Sequence, residues 1–483
     1  MQPTPPRVAV VSDAASGLLT GTSIGMLSDA YTYNTFGETS EYSLMENGAV
    51  VFDEQYVRDD AGRITSRTET SAGTSTTIGY SYDTAGHLAS VTRDGTQTTA
   101  YSYNANGGRS AKSMPGATYS ATYDDQDRLL TYLGATYSYT ANGELSTKTD
   151  MNGTTSYTYD ALGNLRTVVL PDGKRVDYVI DGQNRRVGKK VNGTLVQGWL
   201  YADQLRIVAE LDGTGTIVSQ FVYGTHTNVP DYMLHGGNTY RFITDHVGSP
   251  RFLIDIGTNL VQSVDYDEFG TVLSDSNPGF QPFGFAGGLY DADTKLVRFG
   301  ARDYDPSTGR WTAKDPIGFR GGWTNFFDYV GNDPINFIDP SGLQRTPAQG
   351  QPPGTQTFPN DQGGKTVRTY GPDGRATQDV DYGHDHGQGD PHVHDWDWSK
   401  KPPRQPGRAT TPGEVPKGSS SCSIGRRPDG DWARRAGWTA VGVGVGVIVG
   451  TLVEDFLTGG VGILDDPLTI GAGVTMIRYG LAP

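Results

Sequence analysis

A short unit recurs through the first part of the chain: Tyr-x-Tyr, then Asp or Asn, two variable residues and Gly, with an apolar residue shortly after. Copies sit at Tyr33-Asn34 with Gly37, Tyr82-Asp83 with Gly86, Tyr103-Asn104 with Gly107, Tyr139 with Gly143, and Tyr159-Asp160 with Gly163. Looser copies occur at Asp59 with Gly62, at Tyr123-Asp124 with Asp127, and at Asp181 with Asn184. Neighbours lie about twenty residues apart, the scale of one β-hairpin, so the chain is expected to stack hairpin units rather than fold around one central core.

The chemistry of the unit supports that reading. Alternate Tyr side chains share one face of a strand and offer broad area for stacking on the next unit. Asp or Asn opens a turn by accepting bonds from nearby backbone, and Gly supplies a positive φ where a side chain would clash. Pro171-Asp172-Gly173, after an apolar run ending at Leu170, reads as strand and hairpin turn. An ordinary β-sandwich with Tyr-rich edges is the bland alternative, and the repetition argues against it.

Composition agrees. Gly at 66 residues and Tyr at 27, with 35% hydrophobic residues, fit many Gly-punctuated strands better than a helical bundle. At 483 residues the chain exceeds one ordinary compact domain. A formal charge of −15 argues against the repeats as a nucleic-acid surface, which needs clustered Lys and Arg. Cys422 is the single cysteine, so an intrachain disulfide is excluded. Met1 is followed by Gln-Pro-Thr-Pro-Pro-Arg, not by an apolar leader core, so export is expected to use a specialised apparatus or a preceding N-terminal region.

The Tyr-Asp repeats, over residues 20–285, resemble those of RHS/YD-repeat proteins. The resemblance implies a spiralling β-sheet that closes into a hollow shell around its own C-terminal cargo. The repeats here are fewer than a full shell uses, so the chain reads as the distal part of a longer protein or as a truncated one.

Residues 286–343 follow with Gly287-Gly288-Leu289-Tyr290-Asp291, Arg302-Asp303-Tyr304-Asp305-Pro306, Gly309-Arg310-Trp311, Asp315-Pro316-Ile317-Gly318, Asn332-Asp333-Pro334 and Asp339-Pro340-Ser341-Gly342-Leu343. This run resembles the RHS-associated core that ends the shell in that family. There the core is an intramolecular aspartyl protease, needing no cofactor, that cuts just after the terminal Asp-Pro-x-Gly-Leu. The resemblance implies Asp315 and Asp339 as the carboxylate pair, Arg302 as a supporting cation, and Leu343–Gln344 as the bond cut. Such chemistry is sound: two close carboxylates do not ionise together easily, so one keeps a proton while the other activates water. A guanidinium holds one of them charged and oriented. Asp-Pro pairs are also rigid turn formers, which is the structural alternative for Asp305, Asp315, Asp333 and Asp339.

Composition shifts after Leu343. Residues 344–364 are rich in Pro, Gly, Gln and Thr and read as a linker. Residues 365–398 form a block in which His384, His386, His392 and His394, half the chain's eight histidines, fall within eleven positions. His-x-His in an extended segment puts both rings on one face, suited to a divalent metal with Asp390 as a further ligand, or to acid–base work. A solvated loop that binds metal adventitiously is the alternative. The block resembles a polymorphic-toxin tail of the group labelled type 24, which implies a toxin and a cognate immunity protein without fixing the target; a nuclease acting on RNA first, or on DNA, is the leading expectation. A Pro/Arg-rich linker spans 399–435. Within the final segment, 436–483, residues 436–453 run uncharged and Gly-rich, long enough to cross a bilayer as a helix or to pack inside a shell.

The expected architecture is therefore mostly β: an N-terminal lead over 1–19, a partial repeat shell, the core segment and a separate tail. Three functions stay open. One is a bacterial self-cleaving carrier, exported or surface-bound, that delivers a nuclease tail to a target cell. The others are a tail that permeabilises membranes and a non-enzymatic surface repeat protein.

Overall fold

The computed structural model describes residues 8–348 except 14–17, 36, 72, 227 and 322–323, and beyond them 355–359, 365–370, 376–382, 391–395, 400 and 404–410. The histidines 384 and 386, Asp390, Cys422 and the apolar stretch 436–453 lie outside the described residues. Among those described, strands dominate and the helical pieces are three short 3-10 turns. An eleven-stranded sheet runs from Ala9–Ser12 to Ala117–Ser120, and a sixteen-stranded sheet from Thr122–Tyr123 to Val272–Asp275. In both, each strand pairs antiparallel with its sequence neighbours, a pure meander. The first sheet thus begins at Ala9–Ser12, inside the segment read from sequence as a lead.

The repeat unit explains the meander. Asp83 Oδ1 accepts the N–H groups of Ala85 and His87, at 2.9 Å each, while Gly86 donates to the Asp83 carbonyl at 3.0 Å. Gly86 has φ of +88°, and the pairing register slips by one residue at Ser81/Tyr82. This is a tight turn closed by a bulge, the geometry that matches strand twist in a three-residue hairpin loop. The looser copies keep it with Asp127 and Asn184 at φ of 59° and 63°, since Asp and Asn tolerate the left-handed region best after Gly.

In several units the second Tyr ties hairpin to hairpin. Its hydroxyl donates to a backbone carbonyl about one unit earlier: Tyr82 to Ile64 at 2.6 Å, Tyr103 to Leu88 at 2.8 Å, Tyr201 to Arg186 at 2.8 Å and Tyr223 to Ile207 at 2.9 Å. The apolar residue after each turn (Ile64, Leu88, Leu165 and Ile207 among them) is buried, and the first Tyr of the unit packs beside it.

Late strands of the second sheet come to lie against early strands of the first. Arg241 Nη2 donates to Asp29 at 2.7 Å, Arg251 Nη1 to Glu69 at 3.0 Å, and the rings of Phe52 and Phe252 meet edge-on at 5.1 Å. His246 packs on Tyr56 at 5.5 Å. The later part of the meander thus packs against its earlier part.

Residues 283–343, apart from 322–323, pack against both sheets. A four-stranded sheet (Leu289–Tyr290, Val297–Phe299, Arg302–Asp305, Arg310–Trp311) carries a buried aromatic nucleus of Phe285, Phe299, Tyr304, Trp311 and Tyr329. Each ring contributes roughly 2–3 kcal/mol through burial. The segment bonds to both sheets. Asn336 accepts from Ile64 N–H at 2.8 Å and donates to the Tyr82 hydroxyl at 2.9 Å on the first. Arg186 meets Asp303 at 2.6 Å and Lys189 meets Asp291 at 2.8 Å on the second.

After Leu343 the chain is more strand-rich than its composition suggested. Thr346–Pro347 pairs with Phe337–Ile338, and Thr355–Pro359 is a strand within the stretch read as a linker. A five-stranded sheet continues through Lys365–Tyr370, Ala376–Tyr382, His392–Asp395 and Arg408–Ala409, past residue 398. The reason is charge: Arg404 and Arg408 reach back to Asp379, Asp381 and Asp395, which draws the later residues into the sheet.

Candidate functional site: two carboxylates at the Leu343–Gln344 bond

Asp339-Pro340-Ser341-Gly342-Leu343 docks on the core strands. The N–H of Ala301 donates to the Ser341 carbonyl at 2.8 Å. Gly342 sits at φ of +67°, where a Cβ would lie 2.5 Å from the Phe299 carbonyl, so a side chain has no room. The turn brings the Asp339 carboxylate back onto the backbone that follows it. Its Oδ1 accepts the N–H of Leu343 at 3.0 Å, the N–H of Gln344 at 3.1 Å and the Ser341 hydroxyl at 2.9 Å.

Arg302 joins the second carboxylate to this one. Its Nη2 lies 3.1 Å from Asp315 Oδ2 and 3.5 Å from Asp339 Oδ2. The guanidinium is fixed on every side: Nε donates to the Gly342 carbonyl at 2.5 Å, Nη1 to the Phe326 carbonyl at 3.2 Å, and the plane stacks on Trp311 at 4.2 Å. Asp315 Oδ1 accepts the N–H of Ile317 at 2.9 Å, as an Asp-Pro turn should. A Cβ on Gly321 would lie 2.7 Å from Asp315 Oδ2 and 3.4 Å from the Leu343 carbonyl oxygen, so that oxygen and the Asp315 carboxyl face one small space.

The two acids are held differently. Burial pushes the Asp315 carboxyl up from its ordinary range, Arg302 pulls it back, and the nearby Asp339 charge raises it again. Burial also pushes the Arg302 guanidinium down, opposed by both carboxylates. Residues Arg302, Trp311, Asp315, Asp339 and Leu343 line one cleft. Asp315, Asp339, Arg302 and the Leu343–Gln344 link thus meet in space, and Ser341, Trp311 and Gly321 belong to the same group though sequence reasoning gave them no role.

In the tail, His392 and His394 share one face of the strand His392–Asp395, and on the neighbouring strand Asp381 stands opposite His392 in register. His394 Nε2 lies 3.4 Å and His392 Nε2 3.8 Å from Asp381 Oδ2. All three residues are buried. Asp381 was missed from sequence because its pairing depends on the length of the intervening loop. The alternation Asp379-Val380-Asp381 against His392-Val393-His394 was the available signal.

The fold has known relatives. The teneurin YD-shell family matches residues 8–335. Teneurin-3 of Danio rerio is 30% identical over 304 residues, covering 58% of this chain and 11% of its own length. Teneurin-1 of Gallus gallus is 29% identical over 244 residues, covering 48% of this chain and 9% of its own. The chain therefore spans about a tenth of the length of these relatives. Among solved structures, that of TcdB2-TccC3-TEV aligns with a TM-score of 0.55 at 18% identity, over 70% of this chain and 19% of that one, and so shares the fold. With its repeats observed as stacked hairpins and the match running over more than half of its residues, the chain belongs to the teneurin YD-shell family of RHS/YD-repeat proteins.

Proposed function

We propose that the chain is the wall and the cutting centre of a self-processing carrier: it hydrolyses its own Leu343–Gln344 bond and so uncouples the tail from the shell. The observation that carries this reading is the shared guanidinium. Arg302 bridges Asp315 and Asp339, and Asp339 is hydrogen-bonded to the very amide to be broken. Water adds to the Leu343 carbonyl carbon, the C–N bond breaks, the water oxygen stays on Leu343 in the new carboxylate, and both water protons end on the Gln344 nitrogen, which leaves as an ammonium group. Asp315, whose carboxyl burial keeps protonated to higher pH, polarises the carbonyl oxygen. Asp339 takes the proton from water and passes it to the departing nitrogen. This reaction needs no cofactor.

The experiment is direct. Purified wild-type chain separates under denaturation into two fragments, and the second begins at Gln344. Asp315→Asn and Asp339→Asn remain whole. A wild-type chain that stays intact overturns the reading, and so does a cut after Asp315 or Asp339, the signature of acid hydrolysis at Asp-Pro.

On this reading the tail is a toxin, exported or surface-delivered from a bacterium by a specialised apparatus, acting on RNA first and blocked in its maker by an immunity protein. RNA degraded by wild type and spared by His392→Ala with His394→Ala supports it. Lost membrane potential with intact nucleic acid assigns the killing to the segment 436–453 instead. The teneurin relatives favour a second reading, a shell whose tail is not an enzyme. A cleaved chain with neither activity supports that one.

A further inference from the structure

We propose that Asp381, His392 and His394 form a binding site for one divalent transition-metal ion of the zinc class. The site is independent of the bond cut at Leu343.

The three side chains each offer a ligand atom, and these atoms lie within 4.8 Å of one another. Antiparallel pairing makes the arrangement rigid: Asp381 is the cross-strand partner of His392, and His394 follows two positions on, on the same face. The site stands on strands rather than on a loop. His392 is fully buried, and Asp381 and His394 are nearly so.

The orientation of His394 is the decisive detail. Its Nδ1 lies 2.9 Å from the Gln405 carbonyl, a group that only accepts, so Nδ1 carries the hydrogen and donates it. In the neutral ring this leaves the Nε2 lone pair aimed at Asp381 Oδ2, 3.4 Å away. A lone pair facing a carboxylate oxygen is repulsive unless a proton or a metal ion lies between them, and a metal ion fits that position with two imidazoles and a carboxylate as ligands. The supporting contacts match those of metal-binding residues elsewhere. A carbonyl fixes the histidine tautomer, and Arg404 holds the carboxylate through Nη2 at 2.6 Å while its Nε bonds Asp379 at 2.7 Å. Two imidazoles exclude calcium and magnesium, which take oxygen ligands, and favour zinc, iron, nickel or copper.

The test uses the full chain without a polyhistidine tag, stripped with chelator and titrated with Zn2+. One equivalent binds, and His394→Ala and Asp381→Asn each weaken binding by at least about tenfold, the scale on which even outer contacts matter at metal sites. Unchanged affinity in both variants overturns the proposal. So does loss of all binding on replacing His384 and His386 while these two variants bind normally, because the ion would then be held by the other histidine pair. Should the variants misfold, wild type loaded with Co2+ decides alone. An intense visible absorption, typical of a low-symmetry protein site, supports the proposal, whereas the weak spectrum of the hydrated ion identifies an adventitious ion only and ends it. Uncut Asp315→Asn protein binds zinc equally well, so failure of self-cleavage and failure of the metal site are read separately.

Discussion

The carboxylate of Asp339 accepts a hydrogen bond from the backbone amide of Gln344 at 3.1 Å, five residues along the same chain. A side chain is thereby placed on the leaving-group side of a single peptide bond. The Ser341 hydroxyl shares that contact, donating to Asp339 Oδ1 at 2.9 Å and lying 3.4 Å from the Gln344 nitrogen.

Replacing Ser341 by Ala removes one hydrogen bond to the ionised carboxylate without creating a bulky change. The rate of self-cleavage falls by roughly 10- to 100-fold, the kinetic equivalent of about 1.5–3 kcal/mol. Fragment formation after dilution from denaturant measures it. An unchanged rate removes Ser341 from the cutting centre.

Self-cleavage also depends on pH in a stated direction. Burial raises the Asp315 carboxyl, so its proton is present below the folded pKa and lost above it. If that proton polarises the Leu343 carbonyl, the rate declines as the solution is made alkaline through this titration. A rate that climbs steadily with alkalinity contradicts the assignment and points to hydroxide chemistry.

The seam has its own pH response through His246. This part-buried ring lies 2.9 Å from the Ile335 carbonyl, and burial lowers its pKa to about 3 from the ordinary imidazole value. A base depressed in the fold contributes stability above its unfolded pKa near 6.5, and the contribution is lost as pH falls from there toward 3. At pH 5 the loss is about 1–2 kcal/mol, one pKa unit being about 1.4 kcal/mol. Urea unfolding at pH 5 and pH 7.5, for wild type and His246→Gln, checks this: the variant shows a smaller difference between the two.

Asp303 neutralises two buried guanidiniums, Arg186 at 2.6 Å and Arg298 at 2.9 Å. Asp303→Asn leaves both charges uncompensated in the interior and destabilises the fold by roughly 3–5 kcal/mol, the scale for breaking a buried pair from one side. The urea midpoint measures the change. A shift near zero shows that water reaches these groups.

How much of this was legible in the sequence depended on distance along the chain. The hairpins were, because the Asp83 turn is closed by contacts to residues two and four positions on. The roll of the sheet was not: Arg241 and Asp29 meet across 212 positions, and no local pattern encodes which arginine finds which carboxylate. Around Arg302, Asp315 and Asp339 are named by resemblance, whereas Ser341 and Trp311 join them through a turn and a stacked ring that spacing does not reveal. In the tail, alternation put His392 and His394 on one face, but the sequence reading reached for Asp390 in the loop rather than Asp381 on the adjacent strand.

Strands that pair only with sequence neighbours set the order in which such a molecule is made. Each hairpin can form as soon as it leaves the ribosome, since its partners have already emerged. Contacts such as Arg251 with Glu69 must wait for some 180 further residues, and the turn that sets Asp339 beside Arg302 waits longer still. Synthesis therefore delivers the hairpins first, the contacts between early and late strands next, and the Asp339 turn after both.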